Sequence, residues 1–272
     1  MERSSILARV VAFLAVALIS FPVAWMVSVS LRLNREVFAF PPQWLPDTLT
    51  TEGYRYVLEN GPMMKYIANS YIVAFSVSLL SLFLAVPAAY AFSRYGFIGR
   101  KAGELFVVST QMVPPIVLVI PYFVFLVQFG MQNTLTGLVI TYVSFALPFS
   151  ILMLTRYLNG VPRDLDEAAR VDGATPIRTI RSVLLPVIAP GIMATALYSF
   201  MLSWNEFLFA ITMITSNSKW TFPIGVAFQV GDVTTRWNIM MSYAVIGSLP
   251  IVVGFFVLQK QLIAGLTAGA GK

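Results

Sequence analysis

The sequence predicts an all-α integral membrane protein with six transmembrane helices, and three observations carry that prediction. Of its 272 residues, 58% are hydrophobic and only 11% charged, against about 25% charged in soluble domains. Its mean hydropathy is +0.79. Apolar runs of about twenty residues, the length that crosses a bilayer, recur along the whole chain.

The runs are Val10–Leu31, Ile67–Phe92, Ala102–Val127, Leu135–Leu154, Val187–Ile214 and Ile239–Leu262. Pro87 kinks the second, Pro114-Pro115 breaks the third, and Pro148 and Pro250 lie inside the fourth and sixth. Such prolines are tolerated where neighbouring helices or water satisfy the freed backbone groups. A helical bundle with a wet centre provides both. Arg3 and Arg9 precede the first run, and Ser28-Val29-Ser30 imitates a cleavage site. The run nevertheless exceeds the roughly 7–15 apolar residues of a signal peptide, so it reads as a retained membrane helix.

Basic residues set the orientation, because Lys and Arg concentrate in cytoplasmic loops. With the N-terminus inside, twelve of the eighteen Lys and Arg fall on the cytoplasmic side and six outside. Both termini are therefore expected in the cytoplasm. Arg32 and Arg35 run against the trend. The chain has no cysteine and no histidine, which excludes disulfides, thiol nucleophiles, Cys/His zinc sites and imidazole acid–base chemistry. The net charge of +6 is spread over short loops, so nucleic acid is not an expected partner. Between the first two runs, Arg32–Tyr66 forms the longer external loop, with a short helix expected near Tyr54–Glu59. It reads either as a connector or as part of a docking surface for an external protein. The connection Thr215–Asn238 is also external.

The densest charge lies between the fourth and fifth runs, in Asp164, Asp166, Glu167, Arg170, Asp172, Arg178 and Arg181. Asp164 is expected to cap a short helix, with Glu167 completing a capping box. Leu165, Ala168, Ala169 and Asp172 share one face by the i, i+3, i+4, i+7 rule. Small side chains there let another surface approach. Gly173 stops the helix. Thr175-Pro176 then reads as a second N-cap followed by proline at the first helical position. Ile177, Ile180 and Leu184 are expected to form an apolar stripe, and Pro186 and Pro190 turn the chain back to the membrane.

At these residues a family resemblance becomes specific. Glu167-Ala168-Ala169, three residues, Gly173, nine residues, Val183, one residue and Leu185-Pro186 resemble the signature E-A-A-x3-G-x9-I-x-L-P. That is the EAA loop of the membrane subunits of ATP-binding-cassette importers, and Val183 for isoleucine is the one departure. Asn69-Ser70, Gln132-Asn133-Thr134 with Gly137-Leu138, Trp204–Ala210 and the tail Gly265–Ala270 resemble the maltose-type carbohydrate permeases. The tail ends Gly269-Ala270-Gly271-Lys272 rather than in the usual G-A-V-K-G. The resemblance implies a type I importer fold in a prokaryotic cell membrane. It implies a second homologous permease, two ATPase subunits and an extracytoplasmic solute-binding protein as partners. It implies that no cofactor binds this chain, with ATP and Mg at the partner ATPase. It also implies that the first EAA helix docks in an ATPase cleft, so that Asp164, Leu165, Glu167, Ala168, Ala169, Asp172 and Gly173 are the expected coupling residues. The chain then divides into residues 1–66, the first helix and external loop; 67–265, the transport core with its loop at 157–186; and a cytoplasmic tail, 266–272.

Polar residues inside the runs are the remaining signal, since they are costly there and face protein or water. Gln111, Trp204, Asn205 and Glu206 are the candidate pathway residues. Glu206 reads either as glue that pairs with another subunit or as a residue lining the path of a sugar. Gly269-Ala270-Gly271-Lys272 is not a phosphate-binding loop, because Leu266 stands where its first glycine belongs. The rival reading is an ion-gradient-driven secondary transporter with Glu206 as the coupling carboxylate. A single buried carboxylate, no histidine and no evident repeat make a thin relay for that mechanism.

Overall fold

The computed structural model describes residues 2–41, 43–59, 62–228 and 236–270. Its helices, in order, are α1 (Glu2–Ser30), α2 (Asn34–Val37), α3 (Glu52–Glu59), α4 (Met63–Arg94), α5 (Arg100–Thr110), α6 (Val119–Gln128), α7 (Leu135–Asn159), α8 (Asp164–Val171), α9 (Pro176–Thr179), α10 (Leu185–Val187), α11 (Ala189–Trp204), α12 (Leu208–Met213), α13 (Phe222–Ala227) and α14 (Trp237–Ala270). Gly265–Ala270 of the tail motif is helical backbone within α14, while Gly271 and Lys272 lie outside the described residues.

Among the described residues, four helical segments are long and apolar enough to cross a bilayer: Ala8–Ser30, Met63–Arg94, Leu135–Asn159 and Trp237–Phe256. Two bent pairs bring the number to six when each is counted as one span. Arg100–Thr110 and Pro115–Gln128 meet at 92°, and Pro176–Val187 and Ala189–Trp204 meet at 85°. The first bend falls at Pro114-Pro115, as the sequence predicts. The second falls at Ile188, between Pro186 and Pro190. The fifth run differs from expectation, because Val187–Ile214 is not one helix. Helix α11 stops at Trp204 and α12 begins at Leu208, leaving Asn205–Phe207 non-helical.

The chain forms two compact units, Met1–Met64 with Gly225–Pro250, and Lys65–Ile224 with Ile251–Lys272. The first unit is organised around Arg32, which is 2% exposed. Its guanidinium donates to Gln43 O (2.6 Å), Trp44 O (2.6 Å) and Ser28 Oγ (2.8 Å), and it lies 5.0 Å from the centre of the Trp25 ring. This charge is thus consumed in tying the segment that follows α1 to the end of that helix. Helix α3 packs on α14 so closely that a Cβ at Gly53 would stand 2.9 Å from Asn238 O. Arg236 and Glu52 form an ion pair beside it.

In the second unit, α7 is the central post. Its N-terminal half joins Val73, Leu126, Tyr142, Phe209 and Met213 in one apolar core. Its C-terminal half joins Ala85, Ala89, Leu154, Leu158, Leu184 and Ile188 in another, the inner core. Helix α11 lies against it through small and hydroxyl residues, the means by which membrane helices approach closely when lipid is as apolar as leucine. Ser150 and Ser199 touch at 3.3 Å, and Gly191 sits directly on the Tyr157 ring. A Cβ at Gly191 would fall 2.5 Å from Tyr157 Cγ, the fixed root of that ring. Gly191→Val should therefore destabilise the α7–α11 contact by about 1–3 kcal/mol, the usual cost of overpacking. Thermal unfolding in detergent would show it, and Tyr157→Ala in the same background should recover part of the loss.

Candidate functional site

The charged loop folds as two short helices with a sharp break. Asp164, Asp166 and Glu167 occupy the first turn of α8, where negative charge complements the helix macrodipole. The expected capping box does not form. Arg163 is the residue before the helix, already at φ −70°, ψ −21°, with no side-chain cap. Its carbonyl accepts from Asp166 N (2.9 Å) and Glu167 N (3.1 Å). A capping side chain needs an extended backbone at its own position, and Asp164 is instead the first helical residue.

The other end is as expected. Gly173 has φ +73°. Ala174 N donates to Ala169 O at 2.9 Å and Gly173 N to Arg170 O at 3.0 Å, the paired bonds of a Schellman stop. A Cβ at Gly173 would meet nothing within 4 Å, so the position requires left-handed backbone rather than space. Thr175 then accepts from Arg178 N at 3.4 Å with Pro176 next. A π-turn at Ile180–Leu184 carries the helix on to Val187. The expected apolar stripe divides: Ile180 and Leu184 pack into the inner core, whereas Ile177 is 77% exposed, a turn too near the loop tip to reach it.

The loop is fastened to α4 by an ion pair that sequence reasoning missed. Arg94 Nε lies 2.9 Å from Asp166 Oδ2, with side chains only 4% and 5% exposed. The contact is electrostatic rather than an aligned hydrogen bond, since neither atom has a hydrogen-bond partner. Around it, Arg94 Nη2 donates to Val161 O (3.1 Å), Ser93 Oγ to Asn159 Oδ1 (2.7 Å) and Arg163 Nη2 to Ser93 O (3.4 Å). Of the expected coupling residues, Ala169 turns inward beside Asp166. Asp164, Leu165, Glu167, Ala168, Asp172 and Gly173 remain exposed. So does Val171, at 88%. The available sequence signal for Asp166 was its i, i+3 spacing from Ala169.

The second feature is a cavity of about 390 Å³ lined by Gln111, Tyr142, Tyr198 and Glu206, with Phe145 and Phe209 among its apolar walls. The structure thus brings two of the four pathway candidates together. Trp204 does not line this cavity. It is 2% exposed, with the rings of Tyr71, Phe200 and Phe222 5.0, 5.7 and 5.8 Å away. Nor does Asn205, whose amide donates to Met201 O at 2.8 Å and so closes the end of α11.

Glu206 explains the break in the fifth span. Its Oε1 accepts from Phe209 N at 2.9 Å, and its Oε2 from Ala210 N at 3.1 Å. In an unbroken helix those N–H groups would bond to the carbonyls of residues 205 and 206. The side chain takes their place, as acidic residues do when they compete with helix. Oε2 also accepts from the Tyr142 hydroxyl at 2.5 Å, which links the break to α7. The carboxylate serves this chain's own backbone, so partnership with another subunit is not needed to satisfy it.

Two of the other stretches singled out in the sequence hold the segment after α12. Asn69 donates to Ser218 O (3.1 Å) and Trp220 O (2.8 Å), and Ser70 accepts from Phe222 N (2.8 Å). Asn133 accepts from Thr215 N (3.2 Å) and Ser216 N (3.0 Å).

Two substitutions test the loop. Gly173→Val should cost about 1–2 kcal/mol through left-handed strain. Gly173→Asn should be tolerated better, since asparagine enters that region more readily. Amide exchange at Ala174 would read the difference. Arg94→Leu should destabilise by about 3–5 kcal/mol by leaving Asp166 buried and unpaired, while the double change Arg94→Leu/Asp166→Leu should recover much of it. Thermal unfolding of the three proteins decides the point.

Residues 78–267 match the family described as "Binding-protein-dependent transport system inner membrane component". The chain is 36% identical to the trehalose/maltose transport system permease protein MalG of Thermococcus litoralis over 99% of both proteins. It is 32% identical to the diacetylchitobiose uptake system permease protein DasC of Streptomyces coelicolor, over 93% of this chain and 91% of that one. Its fold resembles a chain of a bacterial ABC transporter involved in import of the acidic polysaccharide alginate, with TM-score 0.84 at 20% identity, over 96% of this chain and 97% of that one. Six membrane spans, an EAA loop fastened to the transmembrane core and a family match over most of the chain lead to one conclusion: this is a multi-pass membrane protein of the binding-protein-dependent transport family, a permease subunit of an ABC importer.

Proposed function

We propose that this chain forms half of the translocation path of an ATP-driven importer for a sugar or oligosaccharide. It pairs with a second, homologous permease. Two ATPase subunits dock on its cytoplasmic face, and an extracytoplasmic solute-binding protein delivers the substrate. ATP and Mg belong to the ATPases, and the chain itself makes and breaks no bonds. Both termini and the α8 loop are cytoplasmic, in line with the distribution of Lys and Arg. The names of the two curated relatives support the substrate class.

The observation that carries the coupling role is the construction of the loop. Helix α8 is locked to α4 by the buried Arg94–Asp166 pair, yet it leaves Leu165, Glu167, Ala168 and Val171 exposed. A surface that is exposed outward and rigid inward transmits a partner's movement instead of absorbing it. Closure of the ATPases moves α8, and the spans rock between inward- and outward-facing states. Nucleotide and loaded binding protein must prefer the same state, because a ligand shifts an equilibrium only by its differential affinity. The hydrogen bonding of Glu206 argues against a gradient-driven mechanism. Its oxygens already hold two backbone N–H groups and the Tyr142 hydroxyl.

The test is purification of the tagged chain in mild detergent, followed by uptake in proteoliposomes. An ATPase and a second permease should co-purify, and uptake of maltose or trehalose with the cognate binding protein should stop on ATP depletion and survive a protonophore. Uptake that survives ATP depletion and collapses with the ion gradient would overturn the proposal.

A further inference from the structure

A fold shared with an alginate importer leaves the charge of this chain's substrate undecided, because that transporter takes an acidic polysaccharide. The decision rests on what lines the path. Five polar side chains line the cavity at the break in the fifth span: Thr110, Gln111, Tyr142, Tyr198 and Glu206, with the Thr110 hydroxyl donating to Val107 O and the Tyr142 hydroxyl to Glu206. None of its lining residues is Lys or Arg, and the chain has no histidine. Both Glu206 oxygens act as acceptors. The donors that hold them are two peptide groups and a phenol, all formally neutral, so they carry no compensating unit charge. The chain therefore presents a negative charge, offset only in part by the N–H dipoles at the start of α12, to a compartment walled by Phe145 and Phe209, where low dielectric strengthens its field. Hydroxyls and an amide bind sugar hydroxyl groups, while the carboxylate repels carboxylates, sulfonates and phosphates.

We infer that this cavity is a charge-selective stretch of the path. It admits neutral polyhydroxylated ligands and turns away acidic ones, with Glu206 as the residue that sets the discrimination. The inference rests on the permease reading above and narrows its substrate class to neutral sugars.

The absence of cysteine from the chain gives a direct test. Val113 also lines the cavity, and Val113→Cys places a single thiol there in the full chain, held in lipid nanodiscs. Its rate of modification is measured with a cationic and an anionic methanethiosulfonate of equal size, each normalised to a free thiol in solution. The cationic reagent should react faster by about tenfold or more. The ratio should shrink as salt rises from about 10 mM to about 1 M, where the screening length falls to about 3 Å. Glu206→Gln should bring the ratio close to one. The salt series is run on Val113→Cys alone, so the test stands even if Glu206→Gln fails to fold. A normalised ratio within twofold of one at low salt, or a ratio unchanged in folded Glu206→Gln, would overturn the inference. Either result would leave the importer reading intact, since that reading fails only on ATP-dependent uptake.

Discussion

A buried ion pair joins the part of this protein that meets water to the part that meets lipid. Arg94 ends the second span and Asp166 lies in the first turn of α8, and their side chains are almost wholly buried. Such a pair contributes little net stability, because desolvating two charges offsets most of their attraction. Breaking it by removing one partner, however, leaves a buried charge alone. The pair therefore acts mainly to fix geometry. It allows one arrangement of loop and span and penalises the others, as transmission of movement requires. The hydrogen bonds of Ser93 and Arg163 around it work to the same end.

Glu206 solves a second problem with the same economy. A carboxylate within a span is expensive, and a broken helix leaves N–H groups bare. Placed three residues before Phe209, the carboxylate accepts from the exposed N–H groups and gains the partners it needs. The break then opens a cavity between α7 and the fifth span without leaving the backbone unsatisfied. One residue ends a helix, caps the next, ties both to Tyr142 and gives the cavity its charge.

Much of this was legible in the sequence because bilayers and glycines impose simple rules. The spans followed from apolar length, the 92° bend from Pro114-Pro115, and the helix stop from Gly173. The failures have separate causes. The capping box was lost because Arg163 is already helical and Asp164 is the first residue of α8. The fifth span was broken by the Glu206 carboxylate taking the N–H groups of Phe209 and Ala210, and the stripe through Ile177 ended where the loop runs out of reach of the core. Asp166 looked like one of several loop carboxylates until α4 brought Arg94 beside it, 72 positions earlier in the chain. Trp204 was expected among the residues of the path. The rings of Tyr71, Phe200 and Phe222 enclose it instead. The counting of loop charges also gave no sign that Arg32 is taken up by Gln43, Trp44 and Ser28.

The arm Pro176–Val187 meets α11 at 85°, and Leu184 and Ile188 at the corner are buried in the inner core. Mechanically this is the layout of a bell crank, two rods at a right angle about a buried corner, a linkage that converts a push along one rod into a swing of the other. The far end of α11 is Trp204, enclosed by the rings of Tyr71, Phe200 and Phe222. The three non-helical residues after it, Asn205–Phe207, separate that rod from α12.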